Sequence, residues 1–382
     1  MSEIRAELVV DSSQLTALQE TWEALAQHEV HCASFDLYRD ALSSANAKMR
    51  VIVLREDGSI VTLVPCLLKE TQKHYWLGAR RLFSLPIREL RLVGNSFIGR
   101  VTVTGIRCIL DVLYPLDEFD LISLSELDFN GPFHQSLQTG LVDTQWSWAR
   151  GFYKNALHWS IDLPSTFDEY MAGFSGRTRQ TLRRKVRKFE TEYEGALRVI
   201  RTTTELESFL KVGESISRLT YQWNIGRRLC ADEATRKAYA TAAREGRLRC
   251  YLLYSGDNPC AFLRGVIHDD TYHYETPGFD PAYEQASPGT VLLLKAIEDL
   301  IANTDCKTLD FGLGGDKTGY KSMFGNRSYE AISLELFRRG RTYPSLLLAI
   351  QAGLFALNRV GQAVVGPKLR PIIRQRLRKY GC

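Results

Sequence analysis

The 382-residue sequence predicts an α/β (α+β) protein of two related domains, each a mixed central sheet flanked by helices. Three observations predict it. The order hairpin, strand, helix, strand occurs twice at similar spacing, once in each half. In both halves a turn dipeptide, Asp57-Gly58 or Gly256-Asp257, separates two apolar runs. Hydrophobic content of 45% beside 24% charged residues is that of a globular chain with a sizeable core. Identity between the halves is low, so the repeat is one of architecture rather than text.

The first domain, set at 1–160, opens with Leu15, Leu18, Trp22 and Leu25 at helical period, capped by Asp11 or Ser12. MRVIVLRE, the Asp57-Gly58 turn and SIVTLVPCLLKE make a hairpin. Residues 106–114 (IRCILDVLY) read as a helix and 119–127 (FDLISLSEL) as a buried strand. The second domain, 161–340, starts with a basic helix over 174–195. RLRCYLLY (247–254) and NPCAFLRGVIHDD (258–270) repeat the hairpin, and TYHYET (271–276) adds a strand. The periodic run from Val291 to Ile301 is an amphipathic helix, and CKTLDFGL (306–313) is another buried strand. Residues 341–382 form a basic, partly apolar tail.

Composition excludes several classes. Eight cysteines are scattered with no CxxC and no Cys/His cluster at metal spacing, so buried free thiols and no metal are expected. The opening MSEIRAELVVDSS lacks the layout of a signal peptide, and the expectation is a cytoplasmic protein. No Ser/His/Asp nucleophile elbow, Walker loop or HExxH occurs, which argues against hydrolase, kinase and metalloprotease chemistry. Net charge of +5 conceals an asymmetry: no Asp or Glu follows Glu335 but ten Lys/Arg do, leaving −5 for residues 1–335. A basic tail suggests an anionic partner surface. Within it, residues 344–365 are apolar in stretches too short to span a bilayer. They either lie at a membrane interface, on the inner face, or pack against the second domain.

Residues 278–324 carry the richest chemistry. Ser287-Pro288-Gly289-Thr290 immediately precedes the amphipathic helix. Pro pre-sets φ there, Ser can cap free amides, and Gly289 removes a Cβ that would hold a ligand off the backbone. The stretch is either an anion site for a phosphate-bearing cofactor or an ordinary capped helix. In 174–195, Leu182, Val186 and Phe189 mark one face; seven cations, Arg183 and Arg184 among them, occupy 177–188 without an acid. That face could contact phosphates of a nucleotide cofactor or a nucleic acid, or be a solvated helix paired with nearby acids. His273 and Glu275 alternate on one strand, so both should face one side, and either is a candidate general base. Asp310 ends a buried strand, followed by Gly312, Gly314 and Gly315, with Asp316 just beyond. Trp223, with Tyr221 and Arg227, is a candidate lining of an acceptor pocket or a piece of core.

The set R-x-x-LRRKVRKFE, GFDPAYEQASPGTVLLLKAIE and LDFGLGGDKTGYKSMFG resembles the GNAT-type acyltransferases of the CelD/BcsL-like, cellulose-biosynthesis-associated family. That family is related in architecture to the Fem-type tandem GNAT aminoacyltransferases. The resemblance covers about residues 150–340; the first half matches in outline. It implies tandem GNAT-like domains, a sheet splayed between two strands to admit the pantetheine of an acyl-CoA, and a helix N-terminus aimed at the pyrophosphate. That position falls on Ser287, Pro288, Gly289 and Thr290, with Arg183 and Arg184 as further cofactor contacts. The ordinary Q/R-x-x-G-x-G/A loop is missing. Tyr320 and Lys321 match the family's Tyr-Lys pair, Tyr320 as proton donor to the leaving thiolate and Lys321 as a grip on phosphate or carboxylate. Trp223, Arg227, Asp310 and Asp316 are then expected at the acceptor. The implied reaction is acyl transfer to an amine or hydroxyl, in an amino sugar or envelope precursor. A Fem-like reading uses aminoacyl-tRNA instead, and a third reading is a non-catalytic scaffold at the membrane.

Overall fold

A computed structural model describes residues 3–26, 33–44, 47–77, 80–151, 156–220, 223, 228–314 and 319–364. Two units result, one of residues 1–157 with 329–382 and one of His158–Ser328. The second unit is therefore inserted into the first. Residues 329–340, expected in the second domain, return to the first instead.

In chain order the first unit contains β1 (Ile4–Val9), α1 (Ser12–Ala17), α2 (Gln19–Ala26), α3 (Phe35–Ser44), β2 (Lys48–Glu56), β3 (Ser59–Leu77), β4 (Arg80–Leu92), β5 (Ile98–Gly99), α4 (Val103–Leu113), β6 (Leu121–Asp128), α5 (Pro132–Gly140) and β7 (Trp146–Arg150). Asp11 caps α1 by accepting from the Ser13 amide, and the expected single first helix breaks at Leu18. Asp57 and Gly58 turn β2 into β3 with positive φ at both residues, as a tight hairpin requires. The apolar runs of β2, β3 and β6 cover both faces because helices lie on both. Ile52, Val64 and Leu124 pack with Ile106, Leu110 and Phe133, while Val51, Val53 and Leu67 pack with Trp22 and Tyr38. β4 was not anticipated; it runs antiparallel to β3 down to the pair Leu77–Arg80 and forms a long arm.

The second unit follows as β8 (Ala156–Asp162), α6 (Phe167–Ala172), α7 (Gly176–Glu192), β9 (Gly195–Ile200), α8 (Thr203–Leu219), α9 (Glu233–Arg244), β10 (Cys250–Ser255), β11 (Asn258–His268), β12 (Thr271–Phe279), a 3-10 turn (Pro281–Ala286), α10 (Pro288–Asn303), β13 (Thr308–Gly314) and α11 (Tyr320–Phe324). Its strand order is β8-β13-β12-β11-β10-β9. The residues Leu182 and Phe189 of α7 and the buried stripe of α10 share one core with Tyr251, Leu263 and Tyr272. Leu206, Phe209 and Leu210 of α8 share the other with Leu252, Phe262 and Val266. Arg249 and the Tyr251 hydroxyl both donate to Asp299 of α10, at 2.7 and 2.9 Å, which fixes the helix over the hairpin.

Thereafter β14 (Arg327–Arg338) and α12 (Thr342–Val364) complete the first unit, whose strand order is β1-β2-β3-β4-β6-β14, with β5 on β3 and β7 on β14. The apolar 344–365 segment thus belongs beside the first unit's sheet, where Leu347 and Leu354 pack with Tyr75 and Phe337, and not beside the second. Cys66, Cys250, Cys260 and Cys306 are buried free thiols, and burial pushes Cys250 and Cys260 up to about 12.

Candidate active site

β12 pairs with β13 in parallel only at Thr271–Thr308, Tyr272–Leu309 and His273–Asp310, whereas its antiparallel register with β11 continues to Phe279. The two strands therefore part after His273. A bulge lies just beyond: the register steps from Gly265–Tyr274 to Arg264–Thr276, leaving Glu275 as the extra residue. Gly265 permits this, because a Cβ there would sit 2.3 Å from the Tyr272 hydroxyl and 2.6 Å from the His273 carbonyl oxygen.

At the last paired position Asp310 stands between two imidazoles. His158 Nε2 lies 2.6 Å from Asp310 Oδ1, and His273 Nδ1 lies 3.7 Å from Oδ2. The Gly312 amide also donates to Oδ1, at 2.7 Å, with Gly312 in the left-handed region that glycine favours. Burial works to raise the Asp310 carboxyl; the His158 hydrogen bond, both imidazoles and the Gly312 amide outweigh it and hold the pKa below the usual value. His273 is pushed down to about 4, chiefly by burial and then by His268 and His158, against the pull of Asp310. It is neutral at physiological pH, with Nδ1 3.7 Å from the Asp310 carboxylate, beyond hydrogen-bond distance. Asp310 was expected at the acceptor; its oxygens are instead committed to the histidines and the loop. His158 was missed. A single histidine within the apolar strand Ala156–Asp162 gave a composition signal but no partner.

Glu275 does not share this site. Its carboxylate accepts from the Tyr239 hydroxyl and meets Arg264 Nε at 3.0 Å, so its lone pairs are engaged on the side of α9. The expectation that His273 and Glu275 face one side fails because the bulge separates their surroundings.

Tyr320 begins α11 beside the parting strands. Its ring lies 6.3 Å from Tyr274 and 6.1 Å from Phe311, edge-on to the latter, and it remains 46% exposed. Burial and then the neighbouring Tyr320 hydroxyl keep the Tyr274 phenol far above its usual pKa, hence protonated. Lys321 is used differently from its expected role. Its ammonium donates to the carbonyls of Phe311 and, at 2.6 Å, Leu313, tying α11 to the end of β13. With donors on these backbone carbonyls it braces the strand end. Gly314 is required here, since a Cβ would fall 2.5 Å from Trp159 Cδ1 and 3.1 Å from the Lys321 stem.

At the start of α10, Ser287 adopts the left-handed conformation (φ 54, ψ 48) and its side chain makes no cap. The expected serine cap is absent. Its carbonyl accepts from the Thr290 and Val291 amides at 3.0 and 3.2 Å, and Pro288 has no amide to offer. The Gly289 amide is thus left at the positive end of a 16-residue helix, with the exposed Phe279 ring 3.4 Å from where a Cβ would stand. A non-glycine residue held at positive φ is strain that function commonly retains. The residues fit one phosphate oxygen at the helix end, a thinner grip than a glycine loop with several free amides.

α7 packs beside α10 and the 3-10 turn. Arg183 pairs with Asp168 at 3.0 Å and Lys188 with Glu192 at 3.6 Å, both in solvent. Among the described residues, Arg177, Arg179, Arg184, Lys185 and Arg187 make no ion pair. The guanidinium groups of Arg218 and Arg228 lie 4.6 and 5.1 Å from the Trp223 ring centroid. Arg227, Tyr221 and Asp316 fall outside the described residues. No group of three or more His, Cys, Asp or Glu among the described residues is arranged to hold a metal.

Residues 176–322 match the family model described as an acetyltransferase (GNAT) domain. The fold is that of the GNAT acyltransferases, in tandem. Solved structures agree across both units. One described as FemX superposes with TM-score 0.59 at 11% identity, over 86% of this chain and 96% of its own. A tandem GNAT protein from the clavulanic acid biosynthesis pathway gives 0.52 at 12%, over 89% of this chain and 100% of its own. The C-terminal domain of a putative lysylphosphatidylglycerol synthetase from Agrobacterium fabrum gives 0.52 at 9%, over 90% and 98%. At these identities the likeness is one of fold. No curated protein matches the chain in sequence.

Proposed function

We propose that the second unit transfers an acyl group from acyl-CoA to an amine or hydroxyl, in an amino sugar or related precursor of a surface polysaccharide, as the CelD/BcsL-like resemblance suggests. The observation that carries this reading is the parting of β12 from β13 just past His273 and Asp310, with Tyr320 beside the gap. The pantetheine enters between the strands, and its pyrophosphate meets the Gly289 amide and the α10 dipole. The acceptor nitrogen or oxygen attacks the thioester carbonyl carbon. As the new C–N or C–O bond forms, the acceptor's proton passes to His273, beside the Asp310 carboxylate that His158 holds. The C–S bond then breaks and the thiolate takes the Tyr320 proton. Solvent restores both groups.

A second reading is favoured by one observation, the five cations of α7 that carry no ion pair beside the donor end of α10. They suit the phosphates of an aminoacyl-tRNA, and the likeness to FemX and to a lysylphosphatidylglycerol synthetase domain is compatible with aminoacyl transfer. Titration of the purified protein with acetyl-CoA and with labelled aminoacyl-tRNA separates the two. Saturable CoA binding with release of free thiol on turnover supports the first reading. Tight, salt-steep RNA binding without CoA binding overturns it.

A further inference from the structure

Side chains gather on both faces of the strands where β12 and β13 part. His273 and Tyr274 are neighbours on β12 and so point to opposite faces, and Asp310 and Phe311 alternate likewise on β13. One face carries His273, Asp310 and His158. The other carries Tyr274 and Phe311, whose rings lie edge-on with centroids 5.1 Å apart. Tyr320 completes that second group, 6.3 Å from Tyr274 and 6.1 Å from Phe311. The Tyr274 and Tyr320 hydroxyls share a hydrogen bond. Lys321 ties α11 to the carbonyls at the end of β13, which keeps Tyr320 in that place.

The two phenols have different surroundings. Tyr274 packs against the core that α7 and α10 share, while Tyr320 is 46% exposed. A phenolate without water is costly, so the enclosed Tyr274 keeps its proton and Tyr320 is the member that can lose one. Once Tyr320 is a phenolate it can only accept, and Tyr274 can only donate to it. A hydrogen bond to an ionised acceptor is about twice as strong as one between neutral groups, so the pairing favours proton loss from Tyr320.

We propose that Tyr274 is a positioning residue for acyl transfer, donating to Tyr320 Oη to aim that phenol at the gap and stabilise the phenolate left behind. The inference rests on the acyl-CoA reading above. As the C–S bond breaks, its electron pair stays on sulfur, the thiolate takes the Tyr320 proton, and the phenolate accepts the Tyr274 O–H. A solvent proton then restores Tyr320, and Tyr274 is never ionised. His273 receives the acceptor's proton on one face while the tyrosine pair serves the leaving group on the other.

Ionisation of Tyr320 is read as the ultraviolet phenolate absorbance of each protein minus that of its Tyr320→Phe counterpart, for the wild type and for Tyr274→Phe. Loss of the donor should lower the Tyr320 acid constant roughly tenfold. In steady-state thiol release from acetyl-CoA, with water as acceptor, Tyr274→Phe should lower kcat roughly three- to tenfold, since Brønsted behaviour passes on part of the lost acidity. KM for the donor should not change, and the alkaline limb of the kcat profile should move to higher pH with the Tyr320 phenol. A tyrosine that only packs would leave that limb in place. Tyr274→Phe keeps its ring against Phe311, and wild-type thermal unfolding confirms its fold. Equal Tyr320 ionisation in the two backgrounds, or an unmoved alkaline limb, overturns the proposal. The titration needs neither donor nor acceptor, so a shifted Tyr320 in a protein that releases no thiol supports the pair and overturns the acyl-CoA reading alone.

Discussion

In the first unit β4 pairs in parallel with β6 at Glu89–Leu121, Leu90–Ile122 and Arg91–Ser123, then ends at Leu92. In the second, β12 pairs with β13 over the same number of positions but continues to Phe279. The third position holds Arg91 and Ser123 in one unit and His273 and Asp310 in the other. The helix that follows differs in the same sense. Thr102 caps α4 by accepting from the Gly105 amide at 3.0 Å, whereas Ser287 leaves α10 uncapped after a strained turn. Past β4 the chain turns at Gly94 and buries Phe97 against Phe133, with ring centroids 4.6 Å apart. One strand-and-helix order thus serves twice. Where it is finished for stability the strand stops and the helix is capped; where it is left open, polar groups collect at the gap.

The comparison can be broken at its paired positions. Asp310→Asn should lower kcat by about 10²–10³-fold with donor binding intact, because the imidazole loses the carboxylate beside it, while Ser123→Ala should leave turnover unchanged. Equal effects, read by steady-state thiol release, would remove the functional distinction between the units. Next in size is the pH response of the second unit. His273 titrates near 4 when folded and near 6.5 when unfolded, so the unfolded chain binds more protons between those values. Stability should be complete above pH 6.5 and fall by a few kcal/mol toward pH 4, and His273→Asn should flatten that slope in urea titrations. Lys321→Met should cost about 2 kcal/mol by freeing the carbonyls at the end of β13, lowering stability without raising KM for the donor. A selective rise in that KM would restore a ligand role to the lysine. Smallest is the cap contrast: Thr102→Ala should cost about 1 kcal/mol in unfolding free energy, and Ser287→Ala close to nothing through capping.

Hairpins, the amphipathic helix and the approximate place of the site were legible because turn dipeptides and periodicity are local signals. β4 was not, since a solvated arm with arginines among its apolar residues lacks the clean alternation of a half-buried strand. His158 and Asp310 lie 152 residues apart, and only strand order brings them together. The bulge at Glu275 and the carbonyl brace by Lys321 depend on side-chain direction, which residue type alone does not specify. Ser287 illustrates the limit: Ser-Pro-Gly marks a helix start correctly, yet the left-handed turn there withdraws the hydroxyl from capping.

The insertion of the second unit also sets an order of assembly during synthesis. β6 takes β14 as its second neighbour, joining Leu121 to Phe337 across most of the chain. While the ribosome makes residues 158–328, the emerging first unit must hold β6 with that edge bare. Local contacts can let the inserted unit condense as it emerges, whereas closing the first waits for a strand made near the end. The molecule therefore completes its older half last, and translation speed through 158–328 governs how long an adhesive edge is open to misassembly.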